Sequence, residues 1–485
     1  MTRGDLIALL PLIVLAATAV AIMLVAAWYR SHRLTAALTL TGLAAAFVLL
    51  VAVSRLAPRP ITPLLLIDGY ALFYMGLIFA ASFAVVLLAY GYWAAHPGSL
   101  TEFYLLVLLA TLGSSVIVAA SHFASFFLGL EILSVSLYAL IAYRTMAAQG
   151  IEAGLKYLVL AAVSAALLLF GMALIYMELG TMEFGRLASL LAVHPPYRPM
   201  VLIGLVMILV GIAFKLGLVP FHLWTPDVYQ GAPAPITAFI ATISKGAMFA
   251  LLLRYFAAVR VDQTPSLVLV FVLIAIVSMV AGNLLALLQN NIKRLLAYSS
   301  IAHLGYLLVA FLASGPRGAA AATYYLAAYF VTMLGAFGVV TILSVRDGDA
   351  DRLEDYAGLG HRRPWVAGVF AGTLLSLAGI PLTAGFIGKF YIITAGVGSH
   401  LWLLVVVLVT TSTIGLFYYL RIVTVMYQLP SEIPTGLPPE PTSRAASYSL
   451  TGAVALSSLA FALIWLGVYP GPLLRIIHAA VADLH

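Results

Sequence analysis

The stretch Phe214–Lys215–Leu216–Gly217–Leu218–Val219–Pro220–Phe221–His222–Leu223–Trp224 decides the fold. It closes an apolar run long enough to cross a membrane, carries a lysine inside that run, and then meets a proline. Proline removes a backbone donor and clashes with the preceding turn. Within lipid, the freed backbone groups need partners from protein or water. A second break, Gly379–Ile380–Pro381–Leu382, interrupts another long apolar run and is followed by Gly385, Gly388 and Lys389. The two prolines are 161 residues apart (381 minus 220).

Around these breaks the chain is built for lipid. Of 485 residues, 64% are hydrophobic and 8% charged, against about 25% charged in a soluble domain. A soluble enzyme, a nucleic-acid binder and a disordered chain are excluded. The net charge of +7 is scattered over short loops, which is no nucleic-acid footprint. The absence of cysteine removes disulfides, thiolate metal sites and cysteine-held iron–sulfur clusters. Hydropathy predicts an all-α polytopic membrane protein of about fourteen spans: 5–27, 34–53, 71–93, 103–120, 123–142, 155–177, 200–219, 235–257, 266–288, 296–313, 319–345, 365–396 (broken), 401–427 and 447–468. The first run is too long, and its basic start too thin, for a signal peptide.

Spans 4–8 and 9–13 read as two units with the break in the fourth helix of each. Five is an odd number, so the second copy enters the membrane inverted. Inverted repeats with broken helices are a transporter architecture whose working groups lie near the midplane. The organisation expected is a three-span segment at 1–100, a first five-span repeat at 101–260, an inverted repeat at 261–428, and span 14 with its tail at 429–485. Loops after odd-numbered spans hold 12 basic residues and the other side holds 9. The positive-inside bias therefore puts both termini on the non-cytoplasmic side.

Charge inside the spans carries the chemistry. Five of the 24 basic residues are lysines, and Lys215, Lys245 and Lys389 lie inside apolar segments; Glu131 alone among the acidic residues sits at the centre of one. Such a charge at the bilayer centre costs roughly 2.5–3.5 kcal/mol on insertion scales. An apolar surrounding favours a neutral amine and a nearby carboxylate favours the ammonium. Glu131 paired with Lys215 would therefore exchange protonation when its surroundings change; a static salt bridge is the plainer alternative. Lys245, with no acidic residue close in sequence, suits a proton relay. His303 falls between Lys245 and Lys389 in repeat order. These five form a chain, Glu131, Lys215, Lys245, His303 and Lys389. His222 and Asp227 beside the first break are weaker members, as is Lys293, which with Arg294 reads as a positive-inside anchor. No phosphate loop, dinucleotide fingerprint, cysteine cluster or paired-histidine haem pattern is present, so the chain itself is expected to hold no redox cofactor.

The quoted stretch, with Pro226–Asp227–Val228–Tyr229, Gly231–Ala232–Pro233 and Ser244–Lys245, resembles the antiporter-like membrane subunits of respiratory complex I. So does Lys293–Arg294–Leu295–Leu296–Ala297–Tyr298–Ser299–Ser300–Ile301–Ala302–His303, and the spacing is kept from about residue 120 to 395. The resemblance implies a proton-translocating subunit of an NADH–quinone oxidoreductase in a bacterial inner membrane, with Glu131, Lys215, Lys245 and Lys389 moving protons. It implies partner membrane and peripheral subunits that carry FMN and iron–sulfur clusters, with quinone bound elsewhere. Cation–proton antiporter complexes and membrane-bound hydrogenases use similar subunits and are the alternative.

Overall fold

A backbone in lipid must satisfy its own polar groups, and this chain does so almost entirely with helices. The computed structural model describes residues 2–94, 100–144, 147–193, 199–259, 264–313, 315–344, 348–429 and 449–484. Arg198, Arg260, Arg346 and Arg444 of the charge count, the repeat boundary at 260/261 and the first residues expected for span 14 lie outside them.

Among the described residues, 13 helices are long and apolar enough to cross a membrane. They are Leu10–Trp28, His32–Val53, Gly69–Ala94, Thr101–Ala119, Phe123–Ile141, Ala148–Leu179, Pro199–Leu216, Ala234–Ala258, Pro265–Leu287, Ile292–Leu312, Pro316–Leu343, Trp402–Met426 and Leu450–Val468. The broken span 12 is the fourteenth, in two halves, Pro364–Ala378 and Ala384–Gly398. Span 7 likewise continues past its break as Trp224–Gly231. Span 6 starts at Ala148 rather than 155, because Gln149, Glu152 and Lys156 give its first turns a polar character that hydropathy discards.

Both breaks use the same device. Span 7 ends on Gly217 with φ +72°, and the first half of span 12, span 12a (Pro364–Ala378), on Gly379 with φ +87°. Gly217 N–H donates to Phe214 O and Leu218 N–H to Ala213 O; Gly379 N–H donates to Ser376 O and Ile380 N–H to Leu375 O. This is the glycine-capped helix end in which two backward bonds satisfy the last carbonyls, and the following proline bars continuation. The lipid-forbidden gap is thus closed by the chain itself, once in each unit.

Packing repeats as well. Span 4 packs on span 5 and span 9 on span 10, while spans 6 and 11 pack on both halves of spans 7 and 12 respectively. Small residues allow the close crossings. A Cβ on Gly113 would lie 2.7 Å from Gly129 O, and one on Gly282 would lie 2.8 Å from Tyr298 O. Burial is graded: the apolar window of span 8 is 100% buried and those of spans 10 and 11 are 83% buried, against 28% for span 1. The bundle's centre is therefore the set of helices that carries Lys245 and His303.

Three features lay outside the hydropathy reading. An antiparallel hairpin pairs Arg59–Ile61 with Leu65–Ile67. The helix Gly471–Ala482 lies against spans 3 and 11, and Asp483 beyond it accepts the Gly69 N–H at 2.7 Å. Arg254, near the end of span 8, is buried and bound through both terminal nitrogens to Asp68 at 2.8 and 2.7 Å.

Candidate functional site

Glu131 and Lys215 approach one another without forming a direct ion pair. Span 5 presents Glu131 and, one turn on, Ser134. Lys215 donates to Ser134 Oγ at 2.7 Å and more weakly to Tyr157 OH at 3.5 Å. Ser134 donates its own proton to Leu130 O at 2.6 Å. Glu131 Oε1 is buried with no hydrogen-bond partner among the described residues. Among the described residues the static salt bridge, the plainer alternative, is not formed, and Lys215 bonds a serine one turn beyond Glu131 instead.

Between Lys215 and Lys245 lies an aromatic pair. Lys215 Nζ sits 5.2 Å from the Tyr157 ring centre, Tyr157 and Trp224 are 5.0 Å apart, and Lys245 Nζ is 5.9 Å from Trp224. Ring faces attract cations, so the pair holds an ammonium at either end without a carboxylate. Trp224 is fixed by its indole N–H on Phe214 O at 2.8 Å, across the break of span 7. That break also shapes the Lys245 pocket: a Cβ on Gly217 would meet Thr225 Oγ1 at 2.5 Å and Lys245 Nζ at 3.4 Å.

Lys245 is fully buried. It follows a π-helical turn, Ile240–Ser244, a local widening that is common at functional positions. Its ammonium donates to Ser300 Oγ at 2.7 Å. The same oxygen accepts from Tyr329 OH at 2.7 Å and lies 3.4 Å from Tyr229 OH. With two donors on its lone pairs, Ser300 has its proton left for Tyr229. The hydroxyl is fully used, and it joins span 8 to spans 7, 10 and 11.

His303 lies one turn beyond Ser300 and is buried. Its Nδ1 is 2.6 Å from Tyr325 OH and its Nε2 is 3.2 Å from Tyr419 OH. Tyr306 stands between it and the last lysine: the His303 and Tyr306 rings are 5.3 Å apart, and Lys389 Nζ is 5.3 Å from the Tyr306 ring. Lys389 does not reach outward along its stem. It turns back to donate to Leu377 O at 2.7 Å, Ala378 O at 2.9 Å and Ser412 Oγ at 2.7 Å. The first two are carbonyls that end span 12a, where a helix leaves acceptors unpaired. A lateral cleft of about 280 Å³, lined by Gly379, Lys389, Phe390 and Ser412 among others, opens beside it.

The weaker candidates separate. His222 lies at the break, and its Nδ1 is buried without a hydrogen-bond partner among the described residues. Asp227 is tied to Arg294 at 2.7 Å and Lys156 at 3.0 Å near the end of span 7. Lys293 is not an interfacial anchor: it is buried and donates to Ala232 O and Asp349 Oδ2, each at 2.6 Å. Packing of the 348–353 loop over the start of span 10 is what encloses it. The hydroxyls of Ser300, Tyr329, Tyr325, Tyr419 and Ser412 were not singled out by the sequence reading, although Ser300 and His303 do sit one helical turn apart. Among the described residues no group of three or more His, Asp and Glu is placed to hold a metal ion.

Residues 120–415 match the family described as NADH:quinone oxidoreductase/Mrp antiporter, TM, and the chain belongs to that family of antiporter-like membrane proteins. It is 54% identical to a protein of Nitrosospira multiformis over 99% of this chain and 97% of that one, and 48% identical to one of Methylococcus capsulatus over 98% and 95%; both are called NADH-quinone oxidoreductase subunit N. Among solved structures, a chain of respiratory complex I from Thermus thermophilus superimposes with TM-score 0.81 at 34% identity, covering 97% of this chain and 100% of that one. The fold is shared with a chain of the Mrp complex from a Dietzia species, with TM-score 0.84 at 21% identity over 100% and 98%.

Proposed function

We propose that the chain is the N-type proton-translocating membrane subunit of an NADH–quinone oxidoreductase, and that it takes no part in electron transfer. The observation that carries this is the line of ionisable groups within the spans, Glu131, Lys215, Lys245, His303 and Lys389, interleaved with serine and tyrosine hydroxyls and aromatic rings. Near-full-length identity to relatives called subunit N supports the assignment to that complex.

Each link has a defined part. Glu131 shares a stretch of span 5 with Ser134, to which Lys215 donates, so a change of field or hydration at that end alters which of the two holds the proton. Lys245 holds its proton against one neutral oxygen and two ring faces, so it can release the proton without breaking an ion pair. Ser300 and His303 offer the next acceptors, and Lys389 collects the proton beside the lateral cleft. The coupled groups titrate together, and no single residue owns the apparent constants. Quinone reduction elsewhere in the complex supplies the driving change; FMN, iron–sulfur clusters and quinone belong to partner subunits. The chain sits in a bacterial inner membrane with both termini on the non-cytoplasmic side.

Gentle extraction of the tagged chain tests the assignment. NADH–quinone activity in the assembly that co-purifies, with acidification of vesicles containing it, is the expected result. A small all-membrane assembly that exchanges Na⁺ for protons and has no redox activity would replace it with an antiporter role.

A further inference from the structure

On the face carrying the loops after odd-numbered spans, the structure holds a polar cavity of about 290 Å³ lined by Arg144, Gln149, Gln230, Asp349 and Arg352 among others. A second cavity of about 130 Å³ shares Gln149, Gln230 and Gly231 with it, so the two form one vestibule with the Asp227 ion pairs on its rim. Asp349 lines it and is paired beneath its wall with Lys293 at 2.6 Å, with side chains only 9% and 1% exposed. None of the five relay groups lies in the vestibule. We propose that this vestibule is the water-filled inlet for protons from that face, and that the Asp349–Lys293 pair is the gate between it and Lys245.

The inference rests on the proton-translocating reading and assigns that reading its uptake path. Three observations carry it. Lys293 also donates to Ala232 O at 2.6 Å, at the end of the half-helix whose Tyr229 touches Ser300. Lys293 and Ser300 share one helix, seven residues apart, which is two turns on the same face and about 10.5 Å of rise. Ser300 is the oxygen to which Lys245 donates. The pair therefore separates a polar cavity from the relay by one gap that a few waters can span.

Asp349 is faced by Lys293 from span 10, Tyr92 from span 3 at 2.8 Å, and Arg144 from the loop after span 5 at 4.0 Å; Asp351, Arg352 and Tyr356 come from its own loop. When Lys293 withdraws, the carboxylate accepts a proton from vestibule water, forming O–H. That bond breaks again as its proton passes through water to the Tyr229 oxygen, Tyr229 gives its own hydroxyl proton to Ser300, and the Ser300 proton forms N–H on a Lys245 amine that has already delivered its own outward. Charge and atoms balance with no further reactant.

Inverted vesicles holding the assembled complex provide the test. The share of NADH-driven acidification due to this chain is taken as the difference between wild type and Lys245→Ala. Asp349→Ala should slow that share about a hundredfold, the lower range for a proton-transferring side chain. Asp349→Glu should restore it, and so should added acetate or formate with Asp349→Ala, since a small weak acid in the vestibule replaces the carboxylate. An undiminished share in Asp349→Ala overturns the inlet. So does a loss that neither weak acids nor glutamate restore, because that marks a purely structural pair. If Lys245→Ala itself leaves acidification unchanged, the translocation reading fails instead.

Discussion

Replacing Ser300 by alanine removes one oxygen and disturbs three helices. Ser300 Oγ accepts from Lys245 Nζ and from Tyr329 OH, each at 2.7 Å. A hydrogen bond from a charged donor contributes about 1.5–3 kcal/mol. Lys245 has no other hydrogen bond among the described residues, so its ammonium becomes that much harder to hold. At about 1.4 kcal/mol per decade, this is a roughly 10- to 150-fold shift in the balance between ammonium and amine. Tyr329 meanwhile loses its acceptor while fully buried, at a further cost of about 1–3 kcal/mol. Ser300→Ala should therefore lower thermal stability moderately and cut proton pumping by at least about tenfold, with assembly retained. Ser300→Thr keeps the oxygen and should stay near wild type. Native-gel assembly, a thermal shift and dye quenching in inverted vesicles read all three. Pumping at the wild-type rate in an assembled Ser300→Ala complex would refute the claim that this hydroxyl links Lys245 to the relay.

Other consequences are open to test. Arg254→Ala leaves Asp68 buried and unpaired, so thermal unfolding should show a loss of about 3–5 kcal/mol, most of it regained by removing both charges together. Gly379→Ala forces a side chain into a positive-φ position and puts its Cβ 2.9 Å from Lys389 Cδ; a loss of about 1–2 kcal/mol with reduced pumping is expected. Burial pushes the Asp349 carboxyl up, but Lys293, Tyr92 and Arg144 outweigh it and hold it below the usual carboxylate value of 3.8. A depressed group stabilises above its unfolded value and loses that contribution as pH falls through the folded one. Protease access to the 348–353 loop should therefore stay constant down to about pH 4 and rise only below it.

Much of the architecture was legible in the sequence because lipid imposes a simple code. Apolar runs gave the spans, and Pro220 and Pro381 marked two breaks in corresponding helices. Lysines inside apolar runs stood out because burying them is costly. Partners were less legible. A serine or tyrosine on a spanning helix bonds its own backbone as readily as a neighbour, so Ser300, Tyr329 and Ser412 carried no signal until span packing brought them to the lysines. Glu131 and Lys215 were expected to pair, and Lys215 donates to Ser134 instead. Lys293 looked like an anchor because its partner, Asp349, is 56 residues away in a loop that hydropathy ignores. Arg254 deceived for the same reason, since Asp68 lies 186 residues away.

The most direct test of the central claim is the number of protons moved per NADH oxidised by the assembled complex, with Lys245 intact and with Lys245→Ala. The relay predicts normal assembly and a clear fall in that ratio. An unchanged ratio in a fully assembled Lys245→Ala complex would contradict it, and would leave the buried lysines as costly structural charges with no part in moving protons.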